Sequence, residues 1–181
     1  MFTLSGAHLH LLVNHAPIFG SLFALALLVA SYFTSAETFR RTAFVVLIAT
    51  AIAGAIADLS GDSAKDAIRG FPGVRREVID AHEQMADKAY YLGDVLGVLA
   101  LVALIRWRRR PVPAAATLVA VLATAFVGGA FVYTGLLGGQ IRHTEVRPDA
   151  TKADAMTIEP PRQRPPGQPQ PGQPQPDQPR P

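Results

Sequence analysis

Residues 114–138, AAATLVAVLATAFVGGAFVYTGLLG, form an apolar stretch that contains no charged side chain. A helix needs about 20 predominantly apolar residues to cross the ~30 Å hydrocarbon core of a bilayer. Three further predominantly apolar segments precede it, at 17–35, 42–59 and 89–107. A helix satisfies all its backbone hydrogen bonds within hydrocarbon. The sequence therefore predicts an all-α fold, a four-helix transmembrane bundle.

The overall composition also favours a membrane protein. Hydrophobic residues make up 49% of the chain and charged residues only 17%, against about 25% charged residues in ordinary soluble domains. The net charge of +3 comes with basic residues beside the apolar segments, which favours a role in topology over nucleic-acid binding. The chain has no cysteine, which excludes disulfides, cysteine-ligated iron–sulfur clusters and covalent haem attachment through cysteine.

Arginines predict the orientation of the chain in the membrane. They lie in the connections after the first and third apolar segments, at Arg40, Arg41, Arg106, Arg108, Arg109 and Arg110. By the positive-inside rule these connections are cytoplasmic. The chain is then a multi-pass protein of a bacterial inner membrane. Both termini and the connection over 60–88 lie on the outer, periplasmic side, with the lipid bilayer as a partner.

The C-terminal part differs sharply in composition from the rest. From about residue 148 it is rich in Pro, Gln and Gly, and PGQPQ occurs twice in tandem at 166–175. Proline has no backbone N–H, and this segment offers no apolar face to bury, so we expect a disordered, polyproline-like tail. The predicted domains are a membrane domain at 1–147 and the tail at 148–181. The tail is either a spacer or an arm that reaches a partner.

The histidines are the candidate functional residues. Three of the five lie in AHLHLLVNHAP at 7–17, and the topology predicts that all five lie near the outer face. We expect His15 and His143 to be axial ligands of b-type haem. His10 and His82 come next, and His8 last. The alternative is that these imidazoles simply tolerate a membrane interface.

Small residues extend from two of these histidines along the helices. Gly135, Gly139 and His143 are spaced by four, and His82 is followed on the same predicted face by Gly93 and Gly97. Such tracks leave room for a planar macrocycle whose iron the histidines reach. Close helix packing is the competing explanation, because small residues at this spacing are its usual device.

Asp58 and Asp94 are the charged groups nearest to the predicted hydrocarbon region. A carboxylate within a bundle is costly unless it is paired or hydrated, which makes it a candidate functional group. Both are candidates for a second shell around the iron or for a proton relay. The alternative is a wet position at the membrane boundary.

Together these motifs resemble a bacterial family of four-helix membrane domains of unknown function. HLLVNHAPI at 10–18 is similar to the family pattern H-P-L-L-V-H-F-P-I, with His10 and His15 in the matching places. GLLGGQIRH at 135–143 is similar to G-W-L-G-G-E-L-V-Y-R-H-G, and His82 matches a histidine at the head of the third helix. The resemblance covers roughly 9–146. Leu11 stands where the pattern has proline, and TEVR replaces the glycine that follows the last histidine. Some relatives are fused to Rieske iron–sulfur domains, which implies a redox setting.

These observations lead to three hypotheses about function. The first is an integral membrane electron-transfer subunit that binds b-type haem near the periplasmic face. It would work with a redox partner or in a larger membrane complex, and would not be an enzyme on its own. The second is a membrane protein that binds non-haem copper or zinc, metals that imidazole clusters suit. The third is a structural or docking subunit of a larger complex.

Overall fold

A computed structural model describes residues 5–34 and 36–151. Five α-helices and no strand occur within these ranges, which confirms the all-α fold. The predicted tail lies outside the described residues from 152 onward. The helices are α1 (Gly6–Val13), α2 (Ala16–Thr34), α3 (Glu37–Ile68), α4 (Arg76–Arg106) and α5 (Ala114–Arg142), followed by a 3-10 turn at Thr144–Val146.

The long helices form a transmembrane bundle. Four helical stretches are long and apolar enough to cross a membrane, namely α1 with α2, α3, α4 and α5. Helix α2 packs against α3 and α5, and α4 packs against the same two helices. The short connections make consecutive helices antiparallel. Helix α1 packs on α3. The predicted four-helix bundle is confirmed, and the chain is an integral membrane protein.

Two of the helices extend well beyond their apolar segments. Helix α3 continues nine residues past the predicted end at 59, and α4 begins at Arg76, so the connection over 60–88 shrinks to 69–75. Hydropathy marks the part of a helix that lies in hydrocarbon, whereas SGDSAKDAI after residue 59 has no proline to stop the helix. The connection turns over GFPG at 70–73, where closely spaced glycine and proline favour a turn, and Gly70 and Gly73 have positive φ angles.

The first span is interrupted near its start. The Ser5 hydroxyl caps α1 by accepting from the backbone N–H of His8, as its sequence position predicts. The helix then breaks at Asn14 and His15, and Pro17 is the second residue of α2. Proline is tolerated there because a first-turn N–H has no helical acceptor. The break gives α1 its own packing site on α3.

Glycines bring the helices into close contact. A Cβ at Gly97 would lie 2.5 Å from the Cβ of Ala51 in α3, and a Cβ at Gly135 would lie 2.8 Å from Cδ1 of Ile18 in α2. Side chains of neighbouring helices therefore occupy the space that the predicted tracks left for a macrocycle at these two positions. In the track of Gly135, Gly139 and His143, Gly139 is the one glycine at which an added Cβ would meet no atom within 4 Å in the described structure. The structure favours helix packing as the role of Gly97 and Gly135.

The arginine end of the bundle, where α2 ends, α3 begins and the connection 107–113 lies, is fastened by side chains of α3. Arg40 donates to the carbonyl oxygen of Val112 at 3.1 Å, and Arg41 donates to that of Trp107 at 2.8 Å. The backbone N–H of Val112 donates to the Glu37 carboxylate. These two arginines therefore hold the α4–α5 connection in addition to marking topology.

The histidine end, which holds the connection 69–75 and the end of α5, is fastened by residues beyond α5. Arg147 donates to the carbonyl oxygens of Gln140 and Gly73, both within 2.8 Å. Arg75 forms an ion pair with Asp149 at 2.6 Å. The packed region therefore reaches two residues past the predicted domain boundary.

The Gly97 contact gives a test of the packing. We expect Gly97→Ala to destabilise the protein by about 1–3 kcal/mol, because two helix backbones must separate to admit the methyl group. Gly129→Ala is the matched control, since a Cβ there meets no atom within 4 Å. Unfolding in mixed micelles with increasing SDS measures both changes. Equal stability of the two variants would contradict the close α3–α4 contact.

The Arg75–Asp149 pair gives a pH test. The hydrogen bond from Arg75 holds the pKa of Asp149 below its usual range. A lowered carboxyl pKa stabilises the folded state at neutral pH, and this contribution disappears as the pH falls through the lowered value, below about 4. A spin label at Ala150→Cys should therefore gain mobility only in that acidic range. With Asp149→Asn added, the label should be mobile at every pH.

Candidate functional site

His10 joins α1 to α3 through its ring. Its Nδ1 lies 2.8 Å from the carbonyl oxygen of Ala57, and the residue is half-buried. A carbonyl oxygen only accepts hydrogen bonds, so Nδ1 carries the proton and donates. In the neutral ring this leaves the lone pair on Nε2 available to an external partner.

His82 repeats this arrangement between α4 and α5. Its half-buried ring places Nδ1 3.0 Å from the carbonyl oxygen of Thr134. The same acceptor argument assigns the proton to Nδ1 and the lone pair to Nε2. Two imidazoles on different helices are thus held in the same tautomer by main-chain carbonyl groups.

A glycine follows each accepting residue by four positions. Gly138 lies one helical turn after Thr134, and a Cβ there would be 3.0 Å from Cε1 of His82. Gly61 follows Ala57 by the same spacing, but its added Cβ would be 3.8 Å from Cε1 of His10, which is ordinary contact. A methyl group at Gly138 would therefore be tighter against His82 than is usual for a Cβ, whereas one at Gly61 would make ordinary contact with His10.

The two rings share one region at the histidine end. They are near enough for a charge on His10 to act on His82. Asn14 lies one helical turn after His10, and its Oδ1 is buried without a partner among the described residues. A buried acceptor without a partner is costly. This unpaired acceptor follows His10 by four residues, at the break between α1 and α2.

The chemistry of this pair suits metal ligation. Histidines that bind metals usually donate their second N–H to a carbonyl or carboxylate, which fixes the tautomer and raises the basicity of the ligating nitrogen. His10 and His82 both meet this condition. No three His, Asp or Glu side chains in the described ranges lie close enough to hold one metal ion. Two imidazoles of this kind would be able to hold a haem, which would supply redox chemistry.

Comparison with known families bears on the identity of the domain. Residues 6–145 match the family model described as "Predicted membrane protein (DUF2231)". The chain belongs to this family. The match confirms the resemblance found in the sequence motifs. No curated protein and no solved structure matches the chain.

The other histidines of this DUF2231 domain occupy exposed positions. His15 lies at the break between α1 and α2, and His8 hydrogen-bonds to Ser5 at 2.7 Å. His143 follows α5, with Nδ1 2.9 Å from Oε1 of Glu145. No described contact joins His15 or His143 to the ring of His10 or His82. Axial ligation by His15 and His143 stays a prediction.

The two predicted aspartates lie on the surface of the domain. Asp58 and Asp94 are both exposed, and neither lies in the interior of the bundle. They are close enough to interact electrostatically with each other, and Asp58 also with Asp87. None of these three carboxylates has a described contact with His10 or His82. Their predicted role in a second shell or a proton relay stays a prediction.

Three residues of the site could not be predicted from the sequence. Asn14, Gly61 and Gly138 have no distinctive pattern, because their importance depends on which helix lies opposite. A glycine four residues after a small residue is too common to identify a carbonyl that a distant histidine contacts. The histidines themselves were visible because they are few and topologically grouped.

The glycine geometry gives a third prediction. We expect Gly138→Ala to displace the His82 ring from Thr134, which removes the fixed tautomer and a hydrogen bond worth about 0.5–1.5 kcal/mol. Gly61→Ala is the matched control and should leave His10 in place. Imidazole ¹⁵N NMR on histidine-labelled protein reports the tautomer of each ring. An unchanged His82 signal in Gly138→Ala would contradict this packing.

Proposed function

We propose that this protein is a membrane electron-transfer subunit that holds b-type haem at the histidine end of its bundle, with His10 and His82 as axial ligands. One observation carries the proposal: both half-buried rings donate Nδ1–H to helix carbonyl groups. This arrangement presents two Nε2 lone pairs in one region. The exposed positions of His15 and His143 give that pair less support.

The chain's own residues would orient and tune the ligands. The carbonyl groups of Ala57 and Thr134 hold the two rings and increase the electron density on Nε2. Gly138 admits the His82 ring against α5. Bound haem supplies one-electron redox chemistry, while the protein determines ligation, burial and potential. Such a subunit passes electrons between partners and needs no catalytic group of its own.

The proposed location follows from charge. The arginine end carries six arginines in or next to its connections, so the positive-inside rule puts it in the cytoplasm of a bacterial cell. The histidine end then faces the periplasm, where a redox partner or a larger membrane complex would exchange electrons with the haem.

A structural subunit is the second candidate. The close contacts at Gly97 and Gly135 show that small residues serve helix packing, which is all a docking subunit requires. The hydrogen bonds of His10 and His82 would then only join helices. Copper or zinc is a weaker candidate, because no group of three ligands occurs in the described ranges.

Absorption spectra and haem extraction test the proposal. We expect protein made with adequate haem supply to contain stoichiometric haem and a reduced b-type α-band. His10→Ala and His82→Ala should each weaken haem binding at least tenfold, because loss of even an outer-shell partner costs 10–100-fold at metal sites. His8→Ala, His15→Ala and His143→Ala should retain haem.

His82→Met separates ligation from a structural role. Methionine keeps an axial ligand and raises the redox potential relative to histidine, so this variant should keep haem at a higher potential. Size-exclusion chromatography checks that each variant folds. A colourless wild-type protein, or haem loss confined to His15→Ala and His143→Ala, would overturn the proposed pair. Copper or zinc in the colourless protein would favour the metal hypothesis.

A further inference from the structure

A groove opens on the bundle surface between α4 and α5, in the half nearer the arginine end. It has a volume of about 240 Å³, and every side chain that lines it is apolar. Phe44 of α3 contributes to its lining, with Ala103 of α4 and Ala120 of α5 also at its surface. Because the small side chains of α4 and α5 do not fill the space between the helices, a cleft remains. In a transmembrane bundle such a cleft is open to lipid.

The groove runs towards the arginines. The lining residues of α4, from Leu96 through Ala103 to Trp107, follow at intervals of three and four and share one helical face. Arg106, three residues after Ala103, continues that spacing at the end of α4. Arg110 follows in the connection, where its backbone N–H donates to the carbonyl oxygen of Trp107 at 3.1 Å. The apolar cleft therefore ends beside positive charge, and Trp107 suits the interface between hydrocarbon and headgroups.

The positive charge at this end is not neutralised within the described chain. The four arginines over 106–110 are exposed, and no ion pair joins their side chains to a described carboxylate. Glu37 is the one acidic residue within 31–45 and 100–120, and it already pairs with Arg41 at 2.9 Å. The guanidinium groups of Arg106 and Arg110 therefore stay available to an external anion.

The start of α5 adds to this positive field. The helix begins at Ala114 after Pro113, which offers no capping side chain, and its first turn contains no acidic residue. The N-terminus of a helix carries a partial positive charge from its free N–H groups. This charge lies next to the arginine-rich connection and to the groove, which also contacts Ala116.

We propose that the groove binds an acyl chain of an anionic phospholipid, whose phosphate is held by Arg106 and Arg110. The apolar cleft would accommodate the acyl chain, and the unneutralised guanidinium groups would favour a negatively charged headgroup. Basic pockets between transmembrane helices commonly bind anionic headgroups. A zwitterionic lipid fits the same cleft but brings a cationic group to the arginines.

Native mass spectrometry of the full chain in detergent tests this site. Phosphatidylglycerol and phosphatidylcholine with identical acyl chains are added separately, and bound lipid is counted. We expect the protein to bind phosphatidylglycerol more tightly than phosphatidylcholine. In the double variant Arg106→Gln/Arg110→Gln, each of the two substitutions should weaken phosphatidylglycerol binding by about fivefold. Arg69→Gln/Arg76→Gln, at the histidine end, is the matched control and should change nothing.

A second pair of variants tests the groove itself. Ala120→Phe should fill the cleft and reduce binding of both lipids, whereas Ala125→Phe, at an exposed position of the same helix, should not. Size-exclusion chromatography shows that both variants fold. Equal binding of the two lipids would overturn the anionic preference. Unchanged binding in Ala120→Phe, or in the Arg106/Arg110 variant, would overturn the site.

Discussion

The structure depends on how closely its helices approach one another. Apolar side chains gain little from moving out of lipid, so packing and hydrogen bonds must hold a membrane bundle together. The buried hydroxyl groups contribute few contacts between helices. Ser31, Thr50 and Thr134 each donate within their own helix. In the described structure, of these three only Ser31 also hydrogen-bonds to another helix, by accepting from Nε of Arg40 at 3.3 Å. Contacts such as Gly97 against Ala51 therefore carry the association. Larger side chains there would separate the helices and move apart the functional side chains that the helices position.

The two histidine contacts use the same closeness for another purpose. A side chain reaches a carbonyl group of a neighbouring helix only where the side chains around that carbonyl are small. Gly138 leaves such a space beside His82. Each ring joins two helices and is held in a defined tautomer. The packing that stabilises the bundle therefore also fixes the tautomer that leaves the lone pair on Nε2 of His10 and of His82. The proposed haem site rests on this same packing.

The arginines divide into two groups with different partners. Arg40 and Arg41 donate to carbonyl groups of the α4–α5 connection, and Arg41 also forms an ion pair with Glu37. Contacts within the protein therefore satisfy these two arginines. Arg106 and Arg110 follow the apolar groove and meet no described carboxylate. The positive-inside rule counts both groups of arginines alike, because it describes membrane insertion and takes no account of contacts made in the folded protein. Arg106 and Arg110, together with the equally exposed Arg108 and Arg109, are left to attract an anionic headgroup.

The sequence by itself determined the four spans, the turn at Gly70–Gly73 and the family, because hydropathy, proline and glycine act locally along the chain. It also identified His10 and His82 among the candidate ligands. Tertiary structure decided which carbonyl groups these rings contact, that Asp58 and Asp94 lie on the surface, and that a groove follows α4. These features depend on the order of the helices and their rotation about their axes. Packing between residues far apart in sequence sets both, and no local pattern records them.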